Sequence, residues 1–467
     1  MTRRTLSAVL ILALVAGIAS AQLAQKATDD PTFPGGLEGE RFRVLIEAIS
    51  TRNLTLASRF YSDHLAEELR ERLSEDSFLE LYQWVASTSG GLDFYGVRTY
   101  DPPRPGVTTV IAEGRNYGAW WAIAFFYGDD PDDGLADIRI TRARTPVEVA
   151  TTPITTDDFV AEVSGMMDRI CEQGLFSGSV LVAGGNDVIL QHACGEAEPE
   201  ADPETHTLVD VGTRFNIGSL NKMFTAVAVA QLVEQGKLSY DDTLSVFLDE
   251  SWLPARIADL VTIDQLLSHT SGLGDCLEAA AGDTSAEQFR ALDDYRELVA
   301  ADSLRFEPGT DWLFSNTGYL LLGTVIESVT GEDYFDHMQK SVFGPAGMAD
   351  TGWGDDVRGG PAGGGYSTAR DLHRFTMALA SGDLLPGEML ERMWTPQRGG
   401  DGAYGYGFTL RATPKGFVVG HDGAFPGVEA YYDIYIQTGH TVVVLTNLEG
   451  AAWPVNERIS ELMERLE

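Results

Sequence analysis

The sequence predicts an α/β (α+β) protein in which a small α+β domain precedes a larger domain, built from an antiparallel sheet flanked by helices plus an all-helical lobe. Three observations predict this. Helical stretches precede strand-like runs between residues 38 and 148. Residues 149–467 begin and end on amphipathic helices. Between those helices, strand-like runs stand towards both ends, with helical segments in the middle. A cleft between the sheet and the helical lobe is then the natural place for a ligand.

The first 21 residues have the pattern of an export signal. Arg3 and Arg4 precede an apolar run over residues 6–18, and three small residues follow at 19–21. The run is too short to span a membrane, and no later stretch reaches the ~20 apolar residues that a spanning helix needs. We therefore expect residues 1–21 to be a cleaved signal peptide and the mature protein to be periplasmic or extracellular, without a membrane span. Residues 22–37 are polar, with prolines and glycines, and are typical of a linker.

Composition excludes several classes of partner. The formal net charge of −37 repels nucleic acid, so we expect no DNA or RNA partner. The three cysteines form no Cys-x-x-Cys pair, and the eight histidines form no His-x-x-x-His pattern. The sequence therefore predicts neither a metal site nor another cofactor, and leaves a small-molecule substrate as the expected partner. The oligomeric state stays open.

The small domain is predicted over residues 38–148. Helical patterns cover residues 38–50, 54–73 and 75–87, and strand patterns cover 92–100, 106–113, 119–127 and 136–142. Helices followed by an antiparallel meander resemble the cone-shaped α+β fold of the nuclear transport factor 2-like group. No ionisable cluster argues for catalysis there, so we expect an accessory or dimerising role.

The larger domain is predicted over residues 149–467. A helix over residues 156–173 leads into a hairpin of 178–183 with 188–193, and a long helix begins at Ser219. Its segment 223–233 is apolar almost all round, which indicates a buried central helix. The remaining predicted elements are a capping-box helix start at Thr262, a helix over 317–329, strands over 406–412, 416–420, 428–435 and 441–447, and a closing helix over 453–467.

Ser219 and Lys222 are the first candidates for chemistry. They lie three residues apart and therefore on one face of a helical turn. A serine hydroxyl is a poor nucleophile without an adjacent base, and a lysine is a base once burial lowers its pKa. Alone, however, Ser-x-x-Lys arises by chance in many chains, and an ordinary polar helix start is the competing interpretation.

Two later segments change that balance: Phe314-Ser315-Asn316 and His421-Asp422-Gly423. The order Ser-x-x-Lys, x-Ser-Asn, His-x-Gly resembles the serine β-lactamase and penicillin-binding-protein superfamily. More narrowly it resembles the class C β-lactamase-related serine hydrolases, which include esterases and D-amino-acid peptidases. Three supporting segments occur in the family's order within residues 155–467: 267–273, 343–348 and 364–372.

The resemblance implies a role for each residue of the catalytic group. Ser219 would be acylated, and Lys222 would take its proton. Backbone N–H groups of Ser219 and Ala424 would form the oxyanion hole. Asn316 would hydrogen-bond Lys222 and the substrate amide, although it could instead cap its helix. His421 stands where many penicillin-binding relatives carry lysine, with a solvent-facing strand histidine as the alternative.

The residues expected to bind substrate are Gly423, Tyr366 and Phe314. Gly423 would let the substrate approach the edge strand closely. Tyr366 either lines the cleft or merely packs. Phe314 is a departure, because the family's second motif usually begins with a tyrosine whose phenol serves as a proton relay, and phenylalanine has no hydroxyl. Either Lys222 works without that relay, aided by water or His421, or turnover is slow, or the protein binds without turnover.

These observations predict an exported serine hydrolase that cleaves ester or amide bonds through an acyl-enzyme on Ser219, with Lys222 as base. Esterase or D-amino-acid-peptidase activity is favoured over efficient β-lactam hydrolysis, because His421 replaces a lysine and Phe314 replaces a tyrosine. The alternative is a catalytically weakened protein that binds peptidoglycan-like ligands.

Overall fold

The computed structural model describes residues 26–128, 130, 133–197, 207–277, 291–354, 360–397 and 403–467. The predicted signal peptide lies outside these residues. The chain divides into two compact units. The small unit comprises the described part of Ser20–Gln173 with Glu457–Glu467, and the large unit comprises the described part of Gly174–Asn456.

The small unit contains an antiparallel sheet with strands in sequence order, β1 to β5. Its strands are β1 Lys26–Asp30, β2 Leu92–Asp101, β3 Val107–Gly114, β4 Trp120–Tyr127 and β5 Leu135–Arg142. Its helices are α1 Gly36–Thr51, α2 Leu54–His64, α3 Glu67–Arg72, α4 Glu75–Ser89, α5 Val147–Thr151 and α6 Thr156–Glu172.

Aromatic packing joins the helices of this unit to its sheet. The rings of Phe42 on α1 and Phe125 on β4 stack with centroids 3.9 Å apart, and Phe60 on α2 lies 5.9 Å from Phe125. All three side chains are fully buried. The core therefore lies between one face of the sheet and the helices, as expected when helices and an antiparallel sheet bury their apolar faces against each other.

Two predicted elements of the small unit differ in the structure. The segment predicted as a linker contains β1, which pairs with β2 through Asp29 opposite Arg98 and Thr28 opposite Thr99. Its five residues lack an apolar alternation, so only the partner strand shows that they are extended. The helix predicted over 54–73 is interrupted after His64, because the N–H of Ala66 donates to the carbonyl of Leu135 on the neighbouring strand.

The large unit contains an antiparallel seven-stranded sheet, counted over the described residues, in the order β10-β11-β12-β13-β14-β6-β7. The strands of the unit are β6 Gly178–Gly184, β7 Asp187–Cys194, β8 Phe215–Asn216, β9 Tyr366–Ser367, β10 Ala403–Tyr404, β11 Thr409–Thr413, β12 Gly416–Phe425, β13 Val428–Tyr435 and β14 His440–Thr446. Strands β8 and β9 pair separately from the large sheet.

The large unit also contains helices. They are α7 Asn221–Glu234, α8 Ala255–Ala258, α9 Ile263–Leu267, α10 Arg296–Ala300, α11 Asn316–Thr330, α12 Tyr334–Met338, α13 Gly344–Ala346, α14 Ala369–Ser381 and α15 Gly387–Met393. Helix α16, Ala452–Arg465, begins in the large unit and ends in the small one.

Helix α7 is the centre of the large unit. Every residue from Asn221 to Leu232 is buried, so apolar side chains on all sides of the helix contact other elements. Phe224, for example, packs edge-on against Phe343 and Phe375, with centroids 5.2 and 4.8 Å away. Because helices that are apolar all round need partners on every face, this agrees with the central position predicted from the sequence.

The strand predicted over residues 406–412 begins later, at Thr409. Gly407 has a φ of +77°, and a Cβ at this position would lie 2.5 Å from the Cβ of Ala226 and 2.8 Å from the carbonyl oxygen of Lys222. The chain therefore bends between β10 and β11 and passes directly against helix α7. Glycine is needed there because any side chain would collide with the helix.

The predicted fold class is confirmed: helices and antiparallel sheets are combined in both units. The domain boundaries and the likeness of the small domain to the nuclear transport factor 2-like fold stay predictions. Among the described residues, no helix is both long and apolar enough to cross a membrane.

Candidate active site

Ser219 lies in a single 3₁₀ turn, Gly218–Leu220, directly before helix α7. Gly218 opens this turn with a φ of +51°, and a Cβ at Gly218 would lie 3.2 Å from the Cα of Gly423 on β12. The turn is therefore pressed against the end of β12. Ser219 is the half-buried residue of the turn, whereas Gly218 and Leu220 are buried.

Lys222 occupies the first turn of α7 and is fully buried. Its Nζ lies 3.1 Å from Oγ of Ser219, 2.7 Å from Oδ1 of Asn316 and 2.6 Å from the carbonyl oxygen of Ala362. Burial lowers the pKa of Lys222 to about 7, although the negative charges of Asp275 and Asp422 oppose this. A substantial fraction of the lysine is therefore the neutral amine near neutral pH.

The three partners of Lys222 define what the neutral amine does. Oδ1 of Asn316 and the carbonyl of Ala362 are acceptors only, so the two hydrogens of a neutral amine are directed at them. The nitrogen lone pair is then left for the hydroxyl hydrogen of Ser219. In this state the serine donates to the lysine, which is the arrangement that general-base activation of a nucleophile requires.

Asn316 is oriented by a carboxylate. Its Nδ2 donates to Oδ2 of Asp275 at 2.6 Å, which turns Oδ1 towards Lys222. The helix is capped instead by Ser315, whose Oγ accepts from the N–H of Gly318 and donates to the carbonyl of Gly274. The side chain of Asn316 is therefore available to Lys222 rather than engaged in capping.

His269 makes hydrogen bonds to the segment that precedes α11. It is fully buried with a φ of +59°, its Nδ1 accepts from the N–H of Ser315, and its carbonyl accepts from the N–H of Leu313. Burial, with the nearby charges of Lys222 and His421, holds its pKa well below the usual range. His269 is a neutral side chain that braces the loop before α11.

Phe314 covers the lysine. The centroid of its ring lies 4.6 Å from Nζ of Lys222 and 4.6 Å from the imidazole centroid of His269. Tyr319 lies on α11 with its ring centroid 5.6 Å from the same Nζ, but its hydroxyl donates to the carbonyl of Leu267. Two aromatic rings therefore lie beside the amine, and Phe314 presents no hydroxyl to it.

Gly423 and Ala424 meet the turn that carries Ser219. A Cβ on Gly423 would lie 2.3 Å from the carbonyl oxygen of Ile217 and 3.0 Å from the backbone nitrogen of Ser219. A Cβ on Gly218 would lie 3.4 Å from the backbone nitrogen of Ala424. The backbone nitrogens of Ser219 and Ala424 thus belong to two segments that touch through glycines, beside the part of β12 that has no partner in β11.

His421 lies on β12 and is buried. Its Nδ1 is 2.5 Å from the carbonyl oxygen of Asp422, and its Nε2 is 2.9 Å from the hydroxyl of Tyr404. Burial lowers its pKa to about 4; the charge of Lys222 acts in the same direction, and Asp422 opposes it. His421 is therefore a neutral buried group near Lys222, not the solvent-facing strand histidine that was the alternative.

Tyr366 is connected to the site through the backbone. It pairs with Asn216 across β8 and β9, three residues before Ser219, and its amide and carbonyl bond to Gly352. Its ring lies against the guanidinium of Arg214, 5.9 Å from the centroid. The side chain is thus placed with Arg214, whereas Ser219, Lys222, Asn316 and Phe314 form one cluster.

Three groups of this site were not predicted from the sequence: Asp275, Tyr404 and the carbonyl of Ala362. Asp275 follows the segment 267–273 by two residues, and Tyr404 begins the alternating run Tyr404-Gly405-Tyr406-Gly407. That alternation of glycine with aromatic residues is a signal that could have drawn attention to Tyr404. Nothing local marks the Ala362 carbonyl, because its contact with Lys222 spans 140 residues.

Comparisons with known proteins identify the family of the chain. A family model described as Beta-lactamase matches residues 157–465. A penicillin-binding protein of Bacillus subtilis (strain 168) is 32% identical over 330 residues, which are 61% of this chain and 71% of that protein. PbpX of the same organism, also named as a penicillin-binding protein, is 27% identical over 319 residues, 62% of this chain and 76% of its own.

Among solved structures, the penicillin binding protein from Bacillus halodurans superposes with a TM-score of 0.57 at 30% identity, over 64% of this chain and 98% of that one. The matched family model covers well over half of the sequence. The chain therefore belongs to the Beta-lactamase family, and it is a serine hydrolase.

Proposed function

We propose that the protein is an exported hydrolase that cleaves ester or amide bonds through an acyl-enzyme on Ser219. The observation that carries this is the set of contacts around Lys222. Two acceptors occupy the hydrogens of its neutral amine, and its lone pair is left for the Ser219 hydroxyl at 3.1 Å. Because burial brings the pKa of Lys222 to about 7, the base exists at neutral pH.

The reaction would begin with attack of Ser219 Oγ on the substrate carbonyl while its proton passes to Lys222. The resulting ammonium donates to Ser219, Asn316 and Ala362, so each of its three hydrogens has an acceptor. The oxyanion would be held by the backbone N–H groups of Ser219 and Ala424. The ammonium then returns its proton to the leaving group, and water, activated in the same way, releases the acid and frees Ser219.

For the substrate class we propose neutral or amine-bearing esters and amides, such as aryl esters and D-amino-acid amides, with β-lactams hydrolysed poorly. Two observations support this. His421 is a neutral side chain where many penicillin-binding relatives have a cationic lysine, and the charged groups that act on Lys222 are the carboxylates of Asp275 and Asp422. Such a site offers little to a substrate carboxylate.

A second candidate function rests on Phe314. With no phenol at this position, the protein would acylate Ser219 without efficient release, and would act as a binding protein for peptidoglycan-like ligands. The observation that favours this second function is the position of the Phe314 ring, whose centroid lies 4.6 Å from the amine of Lys222. The N-terminal pattern that predicts export fits either function.

A fluorophosphonate probe tests the main proposal. It should label Ser219, seen as a mass shift on the peptide containing that residue, and Ser219→Ala should abolish labelling. Ser381→Ala, at the exposed C-terminal end of α14, should not. Turnover of aryl esters or D-amino-acid amides in the same preparation distinguishes the hydrolase from the binding protein. Labelling without turnover favours the binding protein, and absence of both adduct and turnover would refute the acyl-enzyme.

A further inference from the structure

The strand pairing of the large sheet brings the side chain of Tyr404 against the side chain of His421. It ends β10 and pairs with Thr409 on β11, and Thr409 in turn pairs with Gly420, the residue before His421 on β12. The side chains of Tyr404 and His421 are both 4% exposed, and their rings meet edge-on with centroids 5.7 Å apart. Tyr404 also packs on His269, with centroids 4.7 Å apart.

The hydrogen bonds of His421 have a defined direction. Nδ1 lies 2.5 Å from the carbonyl of Asp422, and because a carbonyl only accepts, Nδ1 carries the ring hydrogen. In the neutral imidazole Nε2 is then the acceptor, so the Tyr404 hydroxyl at 2.9 Å must be the donor. The two contacts together satisfy both ring nitrogens in one tautomer.

We infer that Tyr404 is a positioning residue that keeps His421 uncharged and in the Nδ1–H tautomer while Lys222 takes the proton of Ser219. This rests on the proposed function of Lys222 as base. As Lys222 becomes an ammonium, any second cation beside it would raise the energy of the acylation step. The Tyr404 hydroxyl occupies the ring nitrogen at which such a cation would form.

The groups around His421 fit this inference. Lys222 on α7, Tyr404 on β10 and His269 in the segment after α9 lie near His421. On the sheet, Asp422 is its neighbour along β12, and Tyr432 lies opposite it on β13. The hydroxyl of Tyr432 is engaged by Thr376. The hydroxyl of Tyr319 on α11 lies beside that of Tyr404 and donates to the carbonyl of Leu267. Tyr404 is therefore the hydroxyl that the structure places on Nε2. Burial raises the pKa of Tyr404 well above its usual value, so it stays a donor.

The direct test is the ¹⁵N–¹H spectrum of the imidazole rings in the wild-type protein, with His421 assigned from the signals lost in His421→Gln. We expect His421 as the Nδ1–H tautomer and His269, whose Nδ1 accepts from Ser315, as Nε2–H. A wild-type His421 in the Nε2–H form would overturn the inference. This measurement needs no substrate and no Tyr404 variant, so it stands apart from the outcome of Ser219 labelling.

Tyr404→Phe removes only the hydroxyl. We expect kcat/KM to fall about three- to tenfold, the effect of one hydrogen bond between neutral groups, and the tautomer signal of His421 to broaden or change. The ¹⁵N titration of His421 should move to higher pH, because Nε2 becomes free to take a proton. The control is Tyr82→Phe, which removes a buried hydroxyl that donates to a carbonyl in the small unit. This variant should change neither kcat/KM nor the signals of His421.

Unchanged kcat/KM, tautomer and titration in a folded Tyr404→Phe protein would overturn the positioning role. A fall in kcat/KM with an unchanged tautomer and titration would also overturn it, because it would show a merely structural effect. If wild-type Ser219 is never labelled, the proposed function fails. In that case the spectra of the wild-type and Tyr404→Phe proteins still report whether Tyr404 fixes the tautomer of His421.

Discussion

The amine of Lys222 lies 4.6 Å from the centre of the Phe314 ring. The ring lies over one side of the amine, and Lys222 is fully buried. An aromatic face attracts a cation, but that attraction is small beside the cost of removing the charge from water. The contact therefore favours the neutral amine. In the proposed mechanism, the phenylalanine that removes a phenol from the motif also helps Lys222 to act as a base.

The first prediction is the pH profile. Because the pKa of Lys222 lies at about 7 and the amine must be neutral to take the proton of Ser219, kcat/KM should rise with pH and level off above an apparent pKa of about 7. The second-order rate of fluorophosphonate labelling should follow the same curve, since it needs the same deprotonation. A rate that stays constant from pH 8 to pH 5 would show that Lys222 is not the base.

The second prediction concerns the Phe314 ring that packs over the amine of Lys222. Phe314→Ala should admit water to the amine and raise its pKa, so the acid limb of kcat/KM should move to higher pH. Phe314→Tyr should keep an aromatic ring over the amine. We expect kcat/KM of this variant to increase by much less than the ~10²–10⁴-fold that a general acid–base partner contributes. A gain of that size in Phe314→Tyr would show instead that the missing phenol limits the natural protein.

The third prediction concerns Asp275, which orients Asn316 through a 2.6 Å hydrogen bond. Asp275→Asn permits the Asn316 amide to turn, and kcat/KM at the plateau should fall about ten- to hundredfold, the range for a hydrogen bond to a group that becomes charged. Removing this carboxylate also takes away a charge that favours the ammonium, so the acid limb should move to lower pH. Asp336→Asn, at an exposed position of the same unit, is the matched control.

A fall in the plateau with an acid limb that stays in place would show that the carboxylate of Asp275 does not act on the pKa of Lys222. The thermal unfolding midpoint of the variant separates this outcome from a loss of fold. Restoration of part of the activity by Asp275→Glu would strengthen the assignment, because it returns the acceptor and the charge together.

The fourth prediction concerns the contact between β12 and the Ser219 turn. A Cβ on Gly423 would lie 2.3 Å from the carbonyl oxygen of Ile217, a distance that requires the backbone to move. Gly423→Ala should therefore separate the two segments and lower both labelling and turnover by about 10²-fold or more, as when an oxyanion donor is lost. Gly387→Ala, where nothing lies within 4 Å, should leave both unchanged. Equal rates in the two variants would contradict the proposed oxyanion hole.

Much of the fold was accessible from residue patterns. The all-apolar stretch after Ser219 predicted a central helix, and α7 is buried throughout. The capping box at Thr262 is present, with reciprocal bonds between Thr262 and Gln265. Patterns failed where a distant partner decides the conformation: β1 is extended because β2 lies beside it, and residues 405–408 bend because Gly407 passes against α7.

The sequence alone indicated Ser219 and Lys222 as the proposed nucleophile and base, because a spacing of three residues puts both on one face of a helical turn, and it indicated the family through the order of its motifs. Tertiary structure decided the chemistry of that pair. The pKa of the lysine depends on its burial and on the charges of Asp275 and Asp422. The direction of its hydrogen bonds depends on Asn316, which is oriented by Asp275, and on the Ala362 carbonyl, through contacts that span about 40 to 140 residues of chain. Such contacts leave no periodic signal, because desolvation and hydrogen-bond direction are properties of the assembled site.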